Sequence, residues 1–167
     1  EGRDEQIARY NQFTTVMGQC KIPVCSLAWQ PDGAVRSYKR VGEHTRGSVS
    51  GIVDMEEIAK REASHGRVYS EEEIWDNFKY FLDRTLPVCE KAGVKMALHP
   101  NDPPAACVMG VPSLIYNSDG FKRAFELAGN SLYLGMKLCV GCWLEAGEQF
   151  GNLMEDIRYF VEQGKVL

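Results

Sequence analysis

Along the chain the apolar positions change period several times, and each change predicts an element. Over residues 4–18, Ile7, Tyr10, Thr14 and Met17 fall on one helical face, and Gly18 follows as a stop signal. Lys21 to Trp29 is a nearly continuous apolar run with Pro23 near its start, as expected of a strand buried on both faces. Gln30–Val53 has no period and is rich in glycine and basic residues. It reads as a long loop of the kind that is usually functional or mobile. Asp54 with Glu57 makes a capping box for a brief helix carrying Met55, Ile58 and Ala59. Ser70 with Glu73 makes a clearer one, opening a helix striped with Ile74, Phe78, Leu82, Leu86 and Cys89; Pro87 should kink it and Gly93 end it. A strand over Val94–His99 then runs into Pro100-Asn101-Asp102-Pro103-Pro104. A capped helix from Ser118 turns Phe121, Ala124, Phe125 and Ala128 inward and stops at Gly129. Leu132–Cys139 is the next strand, and a helix from about Glu148 to Gln163 ends at Gly164.

Strand and helix therefore alternate with short turns, which predicts parallel strands joined by crossover helices in an α/β protein. Three full strands are legible, and Lys165-Val166-Leu167 reads as the start of a fourth. The 167 residues suffice for one domain with a substantial core, and residues 1–167 are read as a single one. Hydrophobic content of 44% and charged content of 25% exclude disordered and fibrous classes. No run approaches the roughly 18–20 apolar residues of a membrane span, and no leader of the signal-peptide kind opens the chain. A net charge of −4, spread along the sequence, gives no basic face for nucleic acid. Cys25, Cys89 and Cys139 lie inside apolar stretches, as reduced thiols do. The expected setting is a soluble protein of the cytoplasm, without nucleic-acid or membrane partners and with a homo-oligomer left open.

Ligands of parallel α/β folds gather at the C-terminal ends of strands. The second strand ends at His99 and the third at Cys139, so an imidazole and a thiolate, both ligands of borderline metals, arrive at comparable places. Each residue alone also fits a plain packing role, His99 as a hydrogen-bonded rim residue and Cys139 as an inert core thiol. His44 and His65 lie in loop or helix-end surroundings and read as solvated. Cys139-Val140-Gly141-Cys142 admits a redox reading, since a C-x-x-C between strand and helix lowers a thiol pKa. It comes late in the chain for a thioredoxin-like fold. A structural zinc site from His99, Cys107, Cys139 and Cys142 is allowed by ligand type but lacks closely spaced ligand pairs on both sides. Within the Gln30–Val53 loop, Arg46 is the candidate for gripping a substrate carboxylate.

The block Val94-Lys95-Met96-Ala97-Leu98-His99-Pro100-Asn101-Asp102-Pro103-Pro104, with Gly135-Met136-Lys137-Leu138-Cys139-Val140-Gly141 after it, resembles the mannonate dehydratase family. The likeness extends over about residues 70–165 and is weaker before them. It implies a partial (β/α)8 TIM barrel of the xylose-isomerase-like type, with the remaining strands outside this chain. It further implies Mn2+ or Fe2+ as cofactor and dehydration of a small sugar acid, D-mannonate, to 2-keto-3-deoxy-D-gluconate in glucuronate breakdown. By the same resemblance His99 and Cys139 are metal ligands, Cys142 is a bystander, and Asn101 and Asp102 join Arg46 as substrate-binding candidates. Asn101 departs from the family's usual acid, and Cys142 stands where serine is common. No residue matches a family acid or base, and the isolated chain is expected to be catalytically silent. The alternatives are a metal-dependent sugar isomerase or epimerase on the same fold, a C-x-x-C redox protein and a non-catalytic binding module.

Overall fold

A computed structural model describes residues 2–43 and 45–167. Its elements, in chain order, are α1 (Arg3–Gln19), β1 (Val24–Ala28), β2 (Tyr38–Val41), β3 (Val49–Ile52), α2 (Met55–Ala59), α3 (Glu71–Ala92) and β4 (Lys95–His99). After these come β5 (Cys107–Val108), β6 (Val111–Pro112), α4 (Ser118–Leu127), β7 (Leu134–Met136), α5 (Val140–Ala146), a 3₁₀ turn (Gly147–Gln149) and α6 (Leu153–Glu162). The central sheet has the order β1–β4–β7 and is parallel throughout, with Ala28 opposite His99 and Leu98 opposite Met136. Val166 bridges in parallel to Met136, so a fourth strand begins where the sequence placed one. This is a run of adjacent parallel strand–helix units, the arrangement expected of part of a (β/α)8 barrel.

The capping signals do what their chemistry predicts. The Ser70 side chain accepts from the Glu73 amide, Asp54 accepts from the amides of Glu56 and Glu57, and Gly93 closes α3 at φ 68°. Helix α3 runs through Pro87 without interruption. It buries Phe78, Leu82 and Cys89 against Met96, Leu98, Leu134 and Met136, the sheet's helix-facing side chains, and α4 adds Phe121, Ala124 and Phe125 to the same core.

Several expectations are corrected. Gly18 does not stop α1, which runs on to Gln19; a Cβ there would meet the Ala92 carbonyl oxygen at 2.4 Å, so the glycine permits close approach to α3. Among the described residues, strand β1 has only Cys25 buried, so its apolar run is not covered on both faces. The Gln30–Val53 segment contains the antiparallel β2–β3 hairpin. All of β2 is exposed, so no alternation marked it. The third strand is shorter than Leu132–Cys139, with Leu132 exposed and the ladder starting at Leu134. The stretch after Cys139 holds α5, which the sequence reading passed over, and the next helix starts at Leu153 under an Asn152 cap instead of at Glu148. A short β5–β6 hairpin also folds the segment after the proline-rich loop. No helix among the described residues is long and apolar enough to cross a membrane.

Candidate metal centre

Strand β4 ends at His99, and β7 leads, three residues beyond its last ladder position, to Cys139. The ladder extends slightly past β7, because the Lys137 amide donates to the Leu98 carbonyl at 2.9 Å. Cys139 then caps α5, whose third residue is Cys142. One ligand atom from each of His99, Cys139 and Cys142 lies within 4.8 Å of the others. Bonds of about 2.0–2.3 Å from nitrogen and sulfur to one cation bridge donors at such spacing.

The state of each donor follows from its neighbours. His99 is half-buried, and its Nδ1 stands 2.6 Å from the Pro100 carbonyl oxygen. A carbonyl only accepts, so the ring proton resides on Nδ1 and the Nε2 lone pair is left for a ligand. The Cys139 and Cys142 sulfurs are in thiol hydrogen-bond contact at 3.5 Å. Burial, helped by the contact with Cys139 and the charges of Asp102 and Glu145, pushes the Cys142 thiol up to about 12. Cys142 thus holds its proton, while Cys139 is more open to solvent. The donor set fits a borderline divalent cation: an imidazole nitrogen pre-oriented by a backbone carbonyl, with a cysteine sulfur beside it.

The other sequence candidates separate. Asn101 is 3% exposed; its Nδ2 donates to the Trp29 carbonyl at 3.0 Å and its Oδ1 accepts from the Ile115 amide at 2.7 Å. It ties the end of β1 to the segment behind the metal-side loop. Asp102 is gripped by Arg36, Nη1 to Oδ1 at 2.7 Å and Nη2 to Oδ2 at 2.8 Å. Gln30 brackets the same residue, accepting from its amide at 2.8 Å and donating to its carbonyl at 2.6 Å. Arg46 sits exposed in the β2–β3 turn at φ 51°, away from these contacts. His65 is exposed and 3.0 Å from Asp32, and His44 lies outside the described residues. Cys107, offered above for a zinc site, is exposed and outside the cluster, whereas the Cys142 sulfur lies close to both His99 and Cys139.

Sequence reasoning missed Arg36 and Gln30. Their only signal was position, directly after the first strand at the ligand-bearing end of the sheet. The segments that follow the two donors, Pro103–Ala105 and α5, also form walls of a cleft of about 470 Å³, with Arg36, Met55, Glu145 and Gln149 among its lining. That is a volume of small-molecule size.

The sequence model of the family described as D-mannonate dehydratase (UxuA) matches residues 38–165. The mannonate dehydratase of Thermotoga maritima is 35% identical over 130 residues, covering 77% of this chain and 35% of that protein. That of Thermotoga neapolitana is 42% identical over 96 residues, 58% of this chain and 26% of that protein. The crystal structure of mannonate dehydratase from Streptococcus suis serotype 2 superposes with a TM-score of 0.84 at 28% identity, covering 99% of this chain and 49% of that one. The chain thus spans about a third or less of these two relatives and about half of the solved structure. The family match begins at Tyr38 and so takes in the β2–β3 hairpin, beyond the blocks around His99 and Cys139. The chain belongs to the mannonate dehydratase family.

Proposed function

We propose that this chain supplies part of the metal centre of a hydro-lyase that converts D-mannonate to 2-keto-3-deoxy-D-gluconate in hexuronate breakdown. The observation that carries this reading is the convergence of His99 and Cys139 at neighbouring strand ends within the family-matched region. In this reading the two side chains hold Mn2+ or Fe2+, because an imidazole and a thiolate favour those ions over Mg2+. When bound, such an ion supplies Lewis acidity and a template for the substrate's carboxylate and adjacent hydroxyl. The chain's own contribution is orientation. Pro100 fixes the His99 tautomer, and Arg36, Gln30 and Asn101 hold the loop that follows it. Arg46, carried on the exposed hairpin turn, is assigned to the substrate carboxylate. A thiol ligand must stay reduced, which supports a reducing compartment, the cytoplasm, as the setting.

The test is metal analysis and product identification with the full-length protein. Purified protein should contain Mn2+ or Fe2+ and release 2-keto-3-deoxy-D-gluconate from D-mannonate, and His99→Ala and Cys139→Ser should each lose most of the metal. An epimer or ketose product in place of the dehydrated acid would overturn the reaction, and full metal retention in both variants would overturn the ligand assignment.

A further inference from the structure

We propose that Cys139 and Cys142 form a reversible disulfide under peroxide, a modification that takes Cys139 out of the metal-binding set. The consequence for the metal rests on the ligand reading above; the disulfide itself does not.

The two sulfurs are 3.5 Å apart, and among the described residues no other two cysteine sulfurs are hydrogen-bonded to each other. A disulfide needs about 2.05 Å between sulfurs, so a modest side-chain rotation closes the gap. Cys139 caps α5 and Cys142 is its third residue, so the pair straddles the first helical turn, where side chains three apart stack on one face. Their accessibilities divide the labour. Cys139 is half-exposed and reachable by a small oxidant, whereas Cys142 is 5% exposed and shielded. Cys25 and Cys89 are buried, and Cys20 and Cys107 are exposed with no hydrogen-bonded thiol partner among the described residues, so neither set offers the same combination.

The chemistry balances with hydrogen peroxide as oxidant. The Cys139 sulfur attacks one peroxide oxygen; an S–O bond forms, the O–O bond breaks, and the first water leaves with the thiol's proton. The Cys142 sulfur then attacks the Cys139 sulfenic acid; an S–S bond forms, the S–O bond breaks, and a second water leaves with the second thiol proton. Two thiols are oxidised by two electrons in total, and peroxide is reduced to two waters. The metal-bound form should be protected, because its Cys139 lone pair is engaged.

The experiment uses full-length protein stripped of metal by a chelator, treated with hydrogen peroxide, alkylated and digested with trypsin. Cleavage after Lys137 and Arg158 gives a peptide, residues 138–158, holding Cys139 and Cys142 and no other cysteine. Expected is a peptide two hydrogens lighter that takes no alkyl group, and a protein that regains Mn2+ binding only after a dithiol reductant. In Cys142→Ser the reduced protein should bind Mn2+, but after peroxide its loss of binding should not reverse with the reductant. Alkylation of both cysteines after peroxide overturns the proposal. So does linked protein that binds Mn2+ as reduced protein does, or Cys142→Ser that fails to bind Mn2+ when reduced, which would make Cys142 a ligand. Failure of untreated, reduced protein to bind Mn2+ or to dehydrate D-mannonate counts against the functional reading instead, and leaves the peptide result to decide the disulfide.

Discussion

Arg36 and Asp102, 66 residues apart in sequence, meet in a two-point ion pair with oxygen–nitrogen distances of 2.7 and 2.8 Å. The pair clamps the segment after β1 to the loop after His99, and both side chains keep some contact with water, at 31% and 21% exposure. Truncation should therefore cost less than for a buried pair. Arg36→Ala is expected to lower stability by about 1–2 kcal/mol, read from chemical unfolding. Arg36→Lys should recover only part of this, since an ammonium cannot match both oxygens. Full recovery by lysine would show that charge alone, not the fork, is what counts.

Asn101 uses both ends of its amide, one on each of two segments. Asn101→Ala leaves the buried Ile115 amide and Trp29 carbonyl without those partners, and should cost about 2–3 kcal/mol in unfolding free energy. Asn101→Asp keeps the acceptor but, as a carboxylate, cannot donate to Trp29. Its effect should shrink in acid, where the protonated carboxyl can donate. A pH-independent penalty would argue against this account.

Gly18 faces the Ala92 carbonyl closely enough that an added methyl must push α1 off α3. Gly18→Ala gains helix propensity of about 1 kcal/mol but should still destabilise the protein by about 1–3 kcal/mol net, through the displaced packing. A higher melting temperature in this variant would contradict the close approach.

Alkaline stability follows from the buried thiols. Burial, with the neighbouring Cys25, holds the Cys89 thiol up at about 11, and burial raises Cys142 to about 12. The folded state then binds more protons than the unfolded chain between the ordinary thiol range and those values. This stabilisation is fully present below about pH 8.5 and is lost as pH rises through 11 to 12. Cys89→Ala should flatten the decline in unfolding free energy across that window, measured against the parent protein; an unchanged slope would remove Cys89 as its source.

The substrate role proposed for Arg46 is testable by kinetics in the full-length protein. Arg46→Ala should raise KM about tenfold or more with kcat less affected, as expected when a charged contact to substrate is lost. Unaltered KM and kcat would return Arg46 to the role of a solvated turn residue.

What could be read from the residues divides along a physical line. The Ser70 and Asp54 caps, the stripe of α3 and the stop at Gly93 are local, each encoded within a few neighbours. The meeting of His99 and Cys139 was also legible, because parallel strands joined by crossovers deliver their ends to one side. The β2–β3 hairpin was not, since it buries little and so carries no alternation. Arg36 was passed over for Arg46 because nothing in sequence ties a loop arginine to a carboxylate 66 residues away. The place of Cys142 depended on α5, too short to announce itself by period.

The approach of His99 and Cys139 starts from something neither of them owns. His99 ends β4, and Cys139 follows three residues past the last ladder position of the neighbouring β7; the separation of the two strands, about 4.8 Å, is a constant of hydrogen-bonded β-structure. The ladder thus sets where the two strands end, and the turn after β7 carries Cys139 from there to His99. On the proposed metal reading, exchanging these two side chains would alter which ion is preferred while the strand spacing stays put, so a shared scaffold can be retuned between ions by substitution at the tips alone.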